Sequence, residues 1–297
     1  MRSHSSARSS SSYTDTPVPT GQPLMVSPAA SATRNRRAAN TDCDDEHRRW
    51  SDGFLPLTGE RTTPGIVAEN YWFRRHETVY RALVPRCVGA TVLEAGCGEG
   101  YGADLLAGVA RVVLALDCDA PTVTHVRRRY PGIGVARGNL IVLPVRDCGC
   151  DAVVSLQVIE HLWEQERFLR ECARVLAPGR VLLVSTPNRI TFSPGRETPL
   201  NPFHSRELSA PELAALIDDA GFVDVEVLGL HHGPRLRELD GAHGGSLVDA
   251  QVTVALGGGE WPAALLRDVA SVTCADFELR AADVDASLDL VALAVRP

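Results

Sequence analysis

The stretch Val92-Leu93-Glu94-Ala95-Gly96-Cys97-Gly98-Glu99-Gly100 is where residue type and spacing first imply chemistry in this 297-residue chain. A short β-rich run breaks into glycines, and a helical pattern opens at Tyr101. Glycine lets the backbone turn sharply and lets a ligand approach with no Cβ in the way. The start of the following helix adds free N–H groups and a positive partial charge. Asp117 comes 21 residues after Gly96, at the end of the next apolar run. An acid at that point can take both ribose hydroxyls of an adenosine group. Gly98-Glu99-Gly100-Tyr101-Gly102-Ala103 also fits the G-x-G-x-x-A dinucleotide fingerprint. These residues point to a nucleoside cofactor without saying which one. A tight strand–helix turn with no ligand is the competing reading of the loop taken alone.

Such a loop needs a sheet to hold it, and the flanking pattern supplies one. Strands are predicted at 91–94, 112–116, 133–136, 151–155, 181–185, 223–228 and 288–295, and helices at 69–84, 101–110, 122–130, 164–176 and 211–220. Strands alternating with helical stretches mean β-α units and a mostly parallel, doubly wound α/β sheet. Two stretches break the alternation, 187–209 and 231–286. Long connections in a compact α/β domain are usually lids or binding loops, so both are expected to serve the acceptor substrate. Residues 1–60 are rich in Ser and Pro and read as a disordered N-terminal extension, with the domain spanning 61–297.

Composition narrows the chemistry further. All 30 basic residues are arginine, because the chain contains no lysine. A P-loop, a pyridoxal Schiff base and an amine nucleophile are thereby excluded. The net charge of −7 argues against a general nucleic-acid binder. The eight cysteines contain no C-x-x-C pair, which removes zinc-ribbon and thioredoxin-like readings. A reduced, cytoplasmic setting fits them. No secretory signal is visible, and no apolar stretch approaches the ~20 residues needed to span a bilayer.

The segments after the loop resemble one family. Glu94-Ala-Gly-Cys-Gly-Glu-Gly is similar to the first motif of class I S-adenosylmethionine (SAM)-dependent methyltransferases, and Asp117 to their ribose-binding acid. Gly138-Asn139-Leu140, Leu143-Pro144 and Cys150-Asp151-Ala152-Val153-Val154 resemble the family's G-D-x-x-x-L-P-F-x-D-x-x-F-D-x-V run, with Asn139 replacing its adenine-side Asp. An amide can still hydrogen-bond the adenine amino group. Ser155 to His161 resembles the motif after the fourth strand, and Phe168 to Gly179 the helix and turn before the fifth. The resemblance implies a seven-stranded sheet with an antiparallel last strand. It also implies SAM as cofactor, held by Glu94, Gly96, Gly98, Gly100, Asp117, Asn139, Leu140 and Gln157. The helix from Tyr71 to Tyr80, with Arg74, Arg75 and His76, is expected to close over the cofactor or to be core.

SAM carries its own leaving group, so the protein supplies positioning and, for a hydroxyl acceptor, a base. Glu160 and His161 stand where such a base belongs, and His204 lies in the long connection after the fifth strand. Some methyltransferases hold a divalent metal with an E-x-x-E-H motif and later histidines. Here the pattern reads Gln157-x-x-Glu160-His161, so the first acid is missing. Glu160, His161 and His204 remain the candidate ligands for Mg2+. His231 and His232 are further candidates. Thr186 to Arg189 and Asn201 to Leu208 resemble segments of bacterial methyltransferases acting on sugars and glycans. The Gly-rich late stretch and the lack of lysine resemble actinobacterial members linked to polymethylated polysaccharides. The expected reaction is therefore O-methylation of a carbohydrate hydroxyl, with a quinone or phenol as the alternative acceptor. An NAD(P)-dependent oxidoreductase and a non-catalytic scaffold are the rivals from other classes. The oligomeric state is not legible.

Overall fold

The structure, a computed structural model, describes residues 61–297; the N-terminal extension expected at 1–60 lies outside the described residues. Eight strands form one sheet: β1 (Thr91–Ala95), β2 (Val112–Asp117), β3 (Gly134–Arg137), β4 (Cys150–Leu156), β5 (Leu176–Pro187), β6 (Val223–His232), β7 (Phe277–Arg280) and β8 (Asp289–Val295). Their spatial order is β3-β2-β1-β4-β5-β8-β6-β7. The first five pair in parallel, and β8 runs antiparallel between β5 and β6. The chain builds β1, β2 and β3 outwards in one direction and then returns to place β4 on the other side of β1. The crevice at the carboxyl ends of β1 and β4 is therefore the topological switch point, where open α/β sheets bind ligands.

The expected count of seven strands is corrected to eight. The addition is β7, which pairs antiparallel with the outer edge of β6 from Gly229↔Arg280 to His232↔Phe277. Its four residues sit inside the stretch 231–286, whose glycines and histidines read as a connection. That stretch also folds into three helices, α7 (Pro234–Ala242), α8 (Leu247–Gly257) and α9 (Ala263–Ala270).

Strand side chains alternate between faces, and the core divides accordingly. Val92 of β1 and Ala152 and Val154 of β4 join one buried cluster; Leu93 and Val153 join the other. The first cluster is covered by α1 (Asn70–Leu83), α2 (Tyr101–Ala107), α3 (Ala120–Arg129) and helices α7 to α9; the second by α4 (Gln165–Val175) and α6 (Ala210–Asp219). A single turn, α5 (Arg189–Phe192), follows β5. The late helices are fastened to α1. Asn70 donates from its amide to the carbonyls of Val269, Ala270 and Val272 at the end of α9. Arg75 forms a buried two-point bond to Asp289, at 2.7 and 2.6 Å. Tyr71 bonds His232 at 2.7 Å, and His232 bonds Asp240 of α7 at 2.7 Å. Among the described residues no helix is long and apolar enough to cross a membrane.

Candidate active site

The loop after β1 is shaped by three glycines in the left-handed region, Gly96, Gly98 and Gly100, with φ of 87°, 51° and 100°. At Gly96 the need is doubled, because a Cβ there would stand 2.5 Å from Cγ2 of Val158. The N–H groups of Gly96 and Cys97 both donate to the carbonyl of Leu116, at 2.8 and 2.9 Å, which draws the loop against the end of β2. Asp117 closes that strand and accepts from the N–H of Gly98 at 3.0 Å and of Asp119 at 2.9 Å. Its carboxylate is half-buried, and burial pushes its pKa up against those two donors. Each carboxylate oxygen has more than one acceptor site, so lone pairs remain for a diol.

Glu94, one residue before the end of β1, is fully buried, and its Oε1 accepts from the Tyr80 hydroxyl at 2.7 Å. Its Oε2 has no hydrogen-bond partner among the described residues. Burial raises its pKa to about 8, so the carboxyl is largely neutral at physiological pH. Asn139 is exposed, and its Oδ1 accepts from the N–H of Ile141 at 3.1 Å; Leu140 beside it is buried. Gln157 adopts φ 57°, a sparsely populated conformation for a side-chain-bearing residue. Its N–H donates to the Ser185 carbonyl at 2.9 Å and its amide to Ser185 Oγ at 3.2 Å, which bends the chain sharply off β4.

That bend delivers Glu160 and His161 to the same crevice. Glu160 is buried, and Oε2 accepts from Thr186 Oγ1 at 3.0 Å. Burial lifts its pKa to about 8. Its carbonyl accepts from Ser205 N–H at 2.7 Å and Ser205 Oγ at 3.0 Å, which pins the 187–209 connection beside it. His161 Nδ1 lies 3.0 Å from the Phe203 carbonyl. A carbonyl only accepts, so Nδ1 carries the proton and Nε2 is the basic nitrogen. The His204 ring stands 5.0 Å from that of His161, centroid to centroid. It is held between Glu207 at 2.7 Å and the Asn201 amide at 3.0 Å.

The structure thus brings together Glu160, His161 and His204, whose ligating atoms all lie within 4.8 Å of one another. It does not bring in His231 or His232. His232 is taken up by Tyr71 and Asp240, and His231 is buried beside Arg280, 3.4 Å away. A cavity of about 450 Å3 between α8 and α9, lined by His243, Asp249, Thr253 and Leu265 among others, contains none of the candidate residues. Sequence reasoning missed Thr186, Phe203, Glu207 and Tyr80 as the partners that orient Glu160, His161, His204 and Glu94. Each pair is closed by tertiary packing; only His204 and Glu207, three residues apart, left a local signal.

Comparison with known proteins identifies the family. The family model for a methyltransferase domain matches residues 93–184. The chain is 62% identical over 251 residues to a protein of Mycobacterium tuberculosis named Probable S-adenosylmethionine-dependent methyltransferase, covering 83% of this chain and 92% of that one. It is 30% identical over 177 residues to a ubiquinone biosynthesis O-methyltransferase of Xanthomonas axonopodis, covering 54% and 73%. A solved SAM-dependent methyltransferase of Thermotoga maritima, described as a possible histamine N-methyltransferase, superposes with a TM-score of 0.55 at 17% identity, covering 86% of this chain and 96% of that one. This last likeness speaks for the fold alone. The long, close match to the mycobacterial protein settles the family: the chain belongs to the SAM-dependent methyltransferases.

Proposed function

We propose that the protein transfers the methyl group of SAM to a hydroxyl oxygen of a carbohydrate or polysaccharide, with His161 as the base. The residues around the switch point fit the cofactor. Gly96, Gly98 and Gly100 give the loop its left-handed turns, a Cβ on Gly98 would meet nothing nearer than 4.0 Å, Asp117 retains acceptor capacity for a ribose, and Glu94 Oε2 is a buried atom without a hydrogen-bond partner among the described residues. In this reading Glu94, the three glycines, Asp117, Asn139, Leu140 and Gln157 hold SAM, which supplies an activated methyl group on a sulfonium. What remains for the chain is to orient the acceptor and accept its proton.

The observation that carries the base assignment is the bond from His161 Nδ1–H to Phe203, because it aims a basic Nε2 from a rigidly held ring. Glu160 is largely protonated near neutral pH, so its part is to hold a hydrogen bond rather than to remove a proton. Mg2+ does not fit this cluster well. It prefers oxygen ligands, whereas two of the three donors are imidazoles. His204 Nε2 is already 3.0 Å from the Asn201 amide. No step is therefore routed through a metal.

The carbohydrate assignment is supported by the segments Thr186 to Arg189 and Asn201 to Leu208, which frame the cluster. A second reading, O-methylation of a quinone or phenol, draws on the relative from Xanthomonas. Incubating the protein with methyl-labelled SAM and two acceptor panels, neutral oligosaccharides and hydroxylated quinones, separates them. Label in the oligosaccharides is the expected result; label confined to the quinones would overturn the carbohydrate reading.

A further inference from the structure

Trp163 follows His161 by two residues and is the most exposed large apolar side chain among the described residues, at 88%. The chain around it is not loose. Leu162 packs against the second core cluster, and its carbonyl accepts from Ser205 Oγ at 2.6 Å. Gln165 is buried, and its amide donates to the carbonyls of Ile159 and Arg206, both at 2.9 Å. The backbone is therefore fixed on both sides of a ring that stays in water. An indole is large and rigid with few rotatable bonds, so covering it with a flat partner buries much apolar surface at little cost in entropy.

Those anchors tie Trp163 to the connection that carries His204. On the same connection the Phe192 ring stands 5.3 Å from that of His204, centroid to centroid. Two further apolar side chains stay exposed there, Ile190 and Leu200, and the N–H of Leu200 donates to Ser193 Oγ at 2.9 Å. Arg206 is exposed beside them, and its guanidinium offers N–H donors. The neighbours of the histidine pair thus combine a rigid aromatic surface with hydrogen-bond donors. A sugar ring is the matching shape, with a face of C–H groups and a rim of hydroxyls. The negative face of an indole attracts the weakly positive hydrogens of such C–H groups.

We propose that Trp163 is an acceptor-binding residue on which a sugar ring stacks its C–H face while His161 meets one of the acceptor's hydroxyls. The proposal deepens the carbohydrate reading and rests on it. Steady-state kinetics with the neutral oligosaccharides that the wild type labels, together with calorimetric titration of SAM, test it on the full chain. Trp163→Ala is expected to raise the oligosaccharide KM about tenfold and to leave kcat within about twofold, the pattern of lost binding shared by ground and transition states. Its affinity for SAM should stay within about twofold, which also shows that the variant is folded. Trp163→Phe, which keeps a smaller aromatic face, should recover most of the loss. An unchanged KM in Trp163→Ala, or a loss of SAM affinity equal to the loss in KM, overturns the subsite. So does a change of oligomeric mass in light scattering with KM unchanged, which would assign the ring to a contact between copies. Label confined to hydroxylated quinones in the wild type is the separate result that overturns the carbohydrate acceptor, and the sugar subsite with it.

Discussion

The N–H of Gly98 donates to Oδ2 of Asp117 at 3.0 Å, joining the loop after β1 to the end of β2. Nineteen positions apart in sequence, these residues meet because β1 and β2 pair in register from Thr91↔Val112 to Ala95↔Leu116. The same bond shapes the cradle and fixes the orientation of the carboxylate.

Gly96→Ala should cost stability and cofactor binding together. The new Cβ would stand 2.5 Å from Val158 in a backbone conformation of φ 87°. Strain of that kind costs on the order of 1–3 kcal/mol. Denaturant unfolding should show the loss, and SAM titration a weakened or absent heat of binding. A variant as stable as the parent would mean that the loop is less constrained than its packing indicates.

His161→Ala should leave SAM affinity within about twofold and lower turnover on the identified acceptor by roughly 10²–10⁴, the usual contribution of a general base. Full activity of this variant across the pH range would remove His161 from the mechanism.

Glu94 makes stability depend on pH. Its folded pKa, about 8, lies above the ordinary 4.5, so between these values the folded chain binds more protons than the unfolded one. Its contribution is fully present below about pH 4.5 and is lost as pH rises through 8. Glu94→Gln keeps an oxygen for Tyr80 and removes the titration. Chemical unfolding from pH 5 to 9 should therefore show a flatter profile for the variant, with a relative gain at pH 8. Parallel profiles would contradict this.

Much of the site was legible because its signals are local. Glycines that must adopt positive φ, an acid at the end of β2 and the short β-rich runs of β1 and β4 are all written in short windows. The stretch 231–286 was not, because its apolar residues are buried by joining a cluster that includes α1, far away in sequence. Leu247 and Val269 belong to the cluster that contains Tyr71 and Leu83. The spacing of Glu160, His161 and His204 suggested a metal site. The partners of His204, Asn201 and Glu207, stand three residues to either side of it, and the metal reading passed over that local signal. Gln157, read as a cofactor contact, also bonds Ser185 through its side chain, and its positive φ came into view only in three dimensions.

Titrating SAM into the wild-type protein and Asp117→Ala by calorimetry tests the central claim most directly. One SAM should bind per wild-type chain, and the variant should bind at least about tenfold more weakly, as expected for losing hydrogen bonds to a charged group. No binding to the wild type, or equal affinity in both proteins, would contradict a cofactor site built on Gly98 and Asp117.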